Sequence, residues 1–336
     1  MGMRIFFRLI SFALFRWGGE YTWTTTGPTA YGRSEPLPLP TTIVGAILTT
    51  LRGVKPSAEL DDAVEALYKA LGCKEGSSLT LRGPYYPWRE GIAVHVYPQK
   101  LLLIDGDGRI RKLVDCVDSV LVSYRGTALR EDTKSVVRSL LYSVSLVDAK
   151  GLEREGIVPE LSIDTTCEVG VKERRLSTKL GGDMRLAIMS FDNNTKLLNV
   201  IEKLSNNVEH LLTVSPILID LRDVDTVDRF IHGEEKLDVD GCILRVPNVS
   251  TVRNLLESMG IREHKVLKHY VKCLRVRVEL LSPGVYGDTG FPRKPYLAIL
   301  PGSLLVAEDC GKDHLLRGVG IFKELGFRTL LPLRGV

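Results

Sequence analysis

Residues Glu35–Arg52 read EPLPLPTTIVGAILTTLR, an arm that runs without a linker into a helix. Pro36, Pro38 and Pro40 each fix their own φ and disfavour helix in the residue before, so the arm is held extended. From about Thr42 to Leu51 the apolar spacing is helical, with Thr41 or Thr42 placed to cap the first turn. A helix start offers unpaired N–H groups and partial positive charge, which suit a phosphate. The same stretch serves equally as a structural corner, and both readings stay open at this point.

Working outward, Arg4 to Arg16 alternates as a strand, with Ile5, Phe7 and Leu9 on one face. Residues 17–35 are rich in Gly, Thr, Tyr and Trp without helical period, which predicts a projecting loop ordered on binding. Glu59 to Leu71 places Leu60, Val64, Leu67 and Leu71 on one helical stripe, ended by Gly72. Ser78 to Arg125 reads as short strands, with Asp105-Gly-Asp-Gly108 as a hairpin turn. Lys134 to Leu146 is expected to be helical, Met184 to Phe191 a strand, and Lys196 to Leu212 an amphipathic helix. Pro216–Leu221 and Gly241–Val246 read as strands, and Ser250 caps a helix that Gly260 ends. Cys273 to Leu281 reads as a strand with Leu274, Val276, Val278 and Leu280 inward. Two strands at 296–300 and 304–307, a short helix near 315–325 and a strand at 329–333 close the chain. Strands with interposed helices, twice over, predict an α+β fold of two ferredoxin-like (RRM-like) domains, residues 1–205 and 206–336, with inserted β-hairpins.

A length of 336 residues suits about two domains. With 44% hydrophobic and 26% charged residues the chain has globular composition. Its net charge is only +4, so any polyanion site must be a local patch. Six cysteines lie far apart with no C-x-x-C spacing, which argues against a zinc site and for reduced thiols in a cytoplasmic protein. The apolar start MGMRIFFRLISFALF is interrupted by arginines, and no apolar run is long enough to span a membrane.

No H-E-x-x-H, G-x-S-x-G or Walker motif occurs, and the six histidines are scattered. His264 and His269 share a helix with Lys265 and Lys268, at a spacing that suits a basic face better than metal ligation. Leu180-Gly-Gly-Asp-Met184 has a Met where a nucleotide-polymerising palm would carry its second acid, so it reads as a turn. What remains is aromatic, basic and glycine-rich: Trp17-Gly-Gly-Glu-Tyr-Thr-Trp23 and Tyr31-Gly-Arg-Ser34 combine stacking surfaces with cations, as single-stranded nucleic acid requires. Aromatics in such loops also pack on their own domain, and the sequence leaves that alternative standing.

Four segments in order resemble the RAMP superfamily of CRISPR proteins, and within it the third-subunit group of Cmr (type III-B) complexes. They are Leu14–Tyr21, Pro36–Ala46, Cys167–Gly182, and Ala298–Ser303 followed by Gly318-Val-Gly320 and Leu325-Gly-Phe327. Two positions depart from the pattern: Cys167-Glu168 stands where the family carries Arg, and the final G-F-G reads Gly326-Phe327-Arg328. The resemblance implies a non-catalytic RNA-binding subunit with a glycine-rich C-terminal loop, needing no cofactor or metal. Such a subunit takes part in antiviral defence, caps the crRNA 5′ repeat-derived tag, and docks the large palm-containing subunit and the neighbouring backbone RAMP subunit. Tyr31, Arg33, Thr41, Thr42, Gly45, Arg52, Lys179, Gly318, Gly320 and Arg328 are the RNA contacts it implies. The competing expectations are the equivalent subunit of a type III-A (Csm) complex, a RAMP endoribonuclease using His314, and an α+β interaction protein without nucleic acid.

Overall fold

The computed structural model describes residues 2–17, 31–52, 59–73, 78–129, 136–167, 169–170, 175–182, 185–205, 208–220, 224–232, 236–239, 241–284, 293–317 and 321–334. The chain opens with strands β1 (Met3–Leu9), β2 (Phe12–Ala13) and β3 (Tyr31–Gly32), then helices α1 (Pro40–Arg52) and α2 (Leu60–Leu71). Strands β4 (Leu81–Trp88), β5 (Gly91–Val96), β6 (Lys100–Ile104) and β7 (Ile110–Asp115) follow. After α3 (Cys116–Ser119) come β8 (Leu121–Leu129), β9 (Val136–Asp148), α4 (Ala149–Arg154) and β10 (Glu160–Thr165). Strands β11 (Leu176–Leu180) and β12 (Arg185–Asp192) and helix α5 (Lys196–Leu204) complete the first part.

The second part runs β13 (His210–Thr213), β14 (Ile217–Ile219), α6 (Val224–Ile231), β15 (Leu237–Val239) and β16 (Cys242–Arg245). It continues with α7 (Val249–Ser258), α8 (His264–Cys273), β17 (Val278–Leu281) and β18 (Tyr296–Ile299). The last elements are β19 (Leu304–Asp309), α9 (Lys312–Arg317) and β20 (Leu330–Leu333).

This is a mixed α/β fold with several antiparallel sheets. The largest has eight strands in the order β11-β12-β1-β10-β4-β5-β6-β7. A smaller sheet joins β8, β9, β2 and β3, with β3 parallel to β9. Beyond residue 205, β15-β16-β19-β13-β20 form a five-stranded sheet and β14-β18-β17 a three-stranded one. Among the described residues no sheet mixes strands from the two sides of residue 205, but the cores do cross it: Tyr85, Ile92 and Val94 share a core with Leu211, Leu212 and Ile299.

Strand β1 keeps the expected inward face, with Ile5, Phe7 and Leu9 buried and Arg8 exposed, but the expected Arg4–Arg16 strand ends at Leu9, Arg4 is buried against Asp192, and β2 lies in a different sheet. The α2 stripe and its left-handed Gly72 end are also as expected. At the hairpin, the Asp105 carboxylate accepts from the N–H groups of Asp107 and Arg109 at 2.9 and 3.0 Å, which is why this Asp stands there. Gly181 has φ +74°, and a Cβ there would lie 2.4 Å from the Leu14 carbonyl oxygen, so the turn reading of Leu180-Gly-Gly fits.

Four expectations are corrected. Residues 136–148 form strand β9, not a helix, because VVRSLLYSVSLVD pairs with β8 on one side and β2 and β3 on the other. The helix expected to reach Leu212 stops at Leu204, and Leu211 and Leu212 enter β13. The 273–281 strand begins only at Val278, and it departs from the expected alternation at its end: Leu280 is 65% exposed while Leu281 is buried, although Leu274 is buried and Glu279 exposed as expected. Asn248, not Ser250, caps α7, its side chain accepting from Thr251 N at 2.8 Å.

The cysteines also differ from expectation. Cys73–Cys167 and Cys242–Cys310 form two disulfides across sequence separations of 94 and 68. Only the folded topology brings them together, so no local spacing announced them. Cys116 and Cys273 are free and buried.

Buried polar side chains stitch the elements together. Fully buried Arg82 donates to the Leu316 carbonyl oxygen at 3.2 Å, at the end of α9 where carbonyls lack helical partners. Burial lowers its pKa to about 10, so it remains charged at neutral pH. Asp164 accepts from Tyr85 Oη at 2.7 Å and from Leu198 N at 2.9 Å, fixing the start of α5 against the eight-stranded sheet. Burial raises the Asp164 carboxyl to about 7 despite these bonds and the charge of Arg4. An unfolded Asp titrates near 4. The unfolded chain therefore holds fewer protons between about pH 4 and 7, and stability falls as pH rises through that window, then levels. Denaturant titrations of wild type and Asp164→Asn across pH 4–8 should show a wild-type slope in this window that the variant lacks. Parallel curves would contradict the assignment.

Candidate nucleic-acid interface

The proline arm is anchored by side chains that reach its backbone. Prolines give no N–H, and the buried carbonyls between them need donors from elsewhere. Tyr86 Oη donates to Pro36 O at 3.0 Å and Trp17 Nε1 to Leu37 O at 2.7 Å. Thr42 N donates to Leu39 O at 3.0 Å. The helix begins at Pro40, the position where proline's missing N–H costs nothing, so Thr41 and Thr42 lie inside the first turn and do not cap it.

Glu35, at the root of the arm, carries a buried carboxylate. It accepts from Gln99 N at 2.6 Å and lies 3.0 Å from His95 Nε2 and 3.3 Å from Arg33 Nε. A bond to His95 assigns the proton to Nε2. The amide of Gln99 also reaches back to Ser34 O at 3.0 Å, closing a ring around the end of the arm. Trp17 stands edge-on to the His95 ring, with centroids 4.6 Å apart. Nothing in the sequence spacing linked Glu35 to His95. The available signal was a lone acid heading a run of prolines and leucines.

The outer edge of this cluster is accessible. Arg33 is 42% exposed, and its guanidinium carbon lies 5.9 Å from the Tyr97 ring centroid. Burial, then the charges of Glu279 and Glu35, push the Tyr97 phenol up to about 12, so it stays protonated at neutral pH. An exposed cation beside a half-buried aromatic has the composition of a stacking and phosphate contact.

The other expected contacts are dispersed. The Thr41 hydroxyl is buried with no hydrogen-bond partner and faces Gly284, so it is not open to a phosphate. Thr42 and Gly45 are half-buried, and the Gly45 carbonyl accepts from Thr49 Oγ1 at 2.7 Å. Arg52 ends α1, about 16 Å along the helix from Thr41 at 1.5 Å per residue. It shares that end with exposed Lys179, because Thr50 Oγ1 and the neighbouring Thr178 Oγ1 bond at 2.5 Å. Arg328 is buried, with φ 58°, and donates to the Leu218 carbonyl, so its guanidinium faces inward rather than toward RNA. Tyr31 pairs with Ser143 through its backbone. Its side chain, the 18–30 part of the expected projecting loop, and Gly318 and Gly320 lie outside the described residues. Trp17, expected in that loop, is instead buried in the core.

Pro301-Gly302-Ser303 has a structural task. Tyr97 N donates to Pro301 O at 3.0 Å and Gly302 N to Thr213 O at 2.8 Å. A Cβ on Gly302, whose φ is +84°, would lie 2.8 Å from Val96 Cα, so only glycine permits this approach. His314 Nδ1 accepts from Gly311 N at 3.2 Å within its own turn. Among the described residues no three His, Cys, Asp or Glu side chains are arranged to hold a metal ion. None of the described helices is long and apolar enough to cross a membrane.

Removing the Glu35 carboxylate strands a buried N–H and a buried imidazole, so Glu35→Ala should cost about 3–5 kcal/mol in denaturant unfolding. Arg33→Gln at the exposed edge should cost no more than about 1 kcal/mol. Equal effects would deny the division between a buried anchor and a free outer edge.

No family model matches the chain, and no curated protein does. Solved structures do. A chain from the cryo-EM structure of the type III-B Cmr-beta complex bound to cognate target RNA aligns over 99% of both chains, with TM-score 0.57 and 17% identity. A second, from Cmr-beta bound to cognate target RNA and AMPPnP, aligns over 90% of this chain and 86% of that one, with TM-score 0.54 and 18% identity. From end to end, this chain has the fold of a chain found in type III-B Cmr-beta structures.

Proposed function

We propose that this protein is a non-catalytic, crRNA-binding subunit of a type III-B (Cmr) RNA-guided effector, acting in the cytoplasm in antiviral defence. The observation that carries the reading is the fold match over 99% of both chains to a chain from RNA-bound Cmr-beta. The four sequence segments quoted above support the same family independently of the fold.

Within that reading the chain caps the 5′ repeat-derived tag of the crRNA and docks the large palm-containing subunit and the adjoining backbone RAMP subunit. Arg33 with Tyr97, and Arg52 with Lys179, are the RNA contacts that the geometry favours. The division into two ferredoxin-like domains at about residue 205 is supported by sheets that do not cross it and by the strand order β12-β1-β10-β4. The non-catalytic role is supported by the placing of the histidines, with His95 enclosed beside Glu35 and His314 held in its own turn.

Affinity purification of the tagged chain from its native cells, followed by RNA sequencing and protein mass spectrometry, tests the proposal. The expected result is co-recovery of crRNAs sharing one 5′ tag together with Cmr subunits. Recovery of Csm subunits would reassign the complex. Metal-independent cleavage of repeat RNA that is lost in His314→Ala would replace the structural role with an enzymatic one.

A further inference from the structure

We propose that the exposed face of α8 is a docking surface for the phosphate backbone of a nucleic-acid strand. Between Arg262 and Arg277 the sequence carries six Lys and Arg against one acid, a net +5, whereas the whole chain carries +4. The remaining residues therefore sum to −1, and the positive character of this protein resides in this segment.

The helix arranges that charge on one side. His264, Lys265, Lys268, His269 and Lys272 are exposed, while Leu267, Tyr270, Val271 and Cys273 are buried in the core. At 100° per residue the exposed five form one continuous arc of about 140°. Tyr270 Oη accepts from Leu113 N at 2.7 Å, so α8 is fastened to β7, the end strand of the eight-stranded sheet. The charged face thus sits on a rigid platform.

These cations are unpaired. Elsewhere on the surface Arg111 meets Asp105, Lys112 meets Glu155 and Lys203 meets Asp107. None of Arg262, Lys265, Lys268, Lys272 and Arg275 has a carboxylate at ion-pair distance among the described residues. Their mutual repulsion is relieved by a polyanion.

The chemistry favours a phosphate backbone over a protein partner. Protein interfaces centre on apolar and aromatic residues and are depleted in lysine, and this face is the reverse. With Tyr270 buried, the rings that α8 exposes are the imidazoles of His264 and His269 beside three lysines, so its contact is chiefly with phosphates. Lys265, Lys268 and Lys272 span about 10 Å along the helix at 1.5 Å per residue, the axial length of about three nucleotides of one strand. The surface deepens the function proposed above and rests on it only for the choice of RNA over DNA.

The test is fluorescence anisotropy of the full chain with a 20-nucleotide poly(U) RNA across a salt series. The variant Lys265→Gln/Lys268→Gln/Lys272→Gln is set against Arg111→Gln/Lys112→Gln/Lys203→Gln, which removes the same net charge from paired positions. The α8 variant should lose at least tenfold in affinity at low salt, with the slope of log K on log salt reduced by about 2. The paired-position variant should stay within threefold of wild type. Equal losses in both variants, no loss in the α8 variant, or no wild-type binding would each overturn the surface. So would preferential capture of poly-glutamate, which would assign α8 to an acidic protein. If the α8 variant binds as wild type while Cmr subunits still copurify, the surface fails and the proposed function stands. If α8 binds RNA but no effector subunit copurifies, the function fails and the surface stands.

Discussion

The rest of the structure depends on a buried carboxylate. Placing Glu35 in the interior costs several kcal/mol unless its oxygens are bonded. The donors come from Gln99 and His95, in and just before the turn that joins β5 to β6, and from Arg33 at the edge. That requirement locks the root of the proline arm to the 97–99 turn. The arm's own stiffness then aims α1, and Tyr86 and Trp17 satisfy the carbonyls that its prolines leave open. The same turn receives the second half of the chain. Tyr97 N reaches Pro301 O, Arg277 donates to Tyr97 O at 2.8 Å, and Gly302 packs beneath Val96. One turn therefore couples the arm, the eight-stranded sheet and the C-terminal sheets, which explains how a cluster of short elements holds one relative placement.

Much of the fold was legible where periodicity and burial coincide. Ile5, Phe7 and Leu9 alternate because one face of β1 meets the core, and the α2 stripe is helical for the same reason. Legibility ended where a non-local partner decides the state. Val136–Asp148 carries apolar residues at spacings compatible with a helix, and only pairing with three strands makes it β9. Leu211 and Leu212 continue the period of α5 by coincidence, because the helix ends at Leu204 and the next apolar pair begins a strand. In β17 Leu280, expected inward, is exposed, and Leu281 is buried instead. The disulfides and the inward-facing Arg328 were invisible for the same cause: each is defined by a contact many residues away.

Of the site, the sequence identified residue types more reliably than company. The EPLPLPTT stretch is a corner at Thr41, whose hydroxyl is buried, while its charged root at Arg33 stays accessible beside Tyr97. Arg52 and Lys179 meet only through the Thr50–Thr178 contact, which no linear spacing reveals. The basic face of α8 was partly visible as His and Lys residues on one helix. Its weight became clear when the paired cations elsewhere were set against it. The protein so described has a neutralised interior junction and a few unneutralised exterior cations, an arrangement that separates holding the fold from holding a polyanion.

The central claim is that the Glu35 junction opens only when the whole protein does. Native-state hydrogen exchange of the Gln99 amide, which donates to Glu35, measures this directly. Its opening free energy should equal that of core amides such as Leu103 and rise or fall with global stability as denaturant is added. If Gln99 instead exchanges through a small, denaturant-independent fluctuation, like the exposed hairpin amide of Asp107, the junction is a local contact and does not organise the fold.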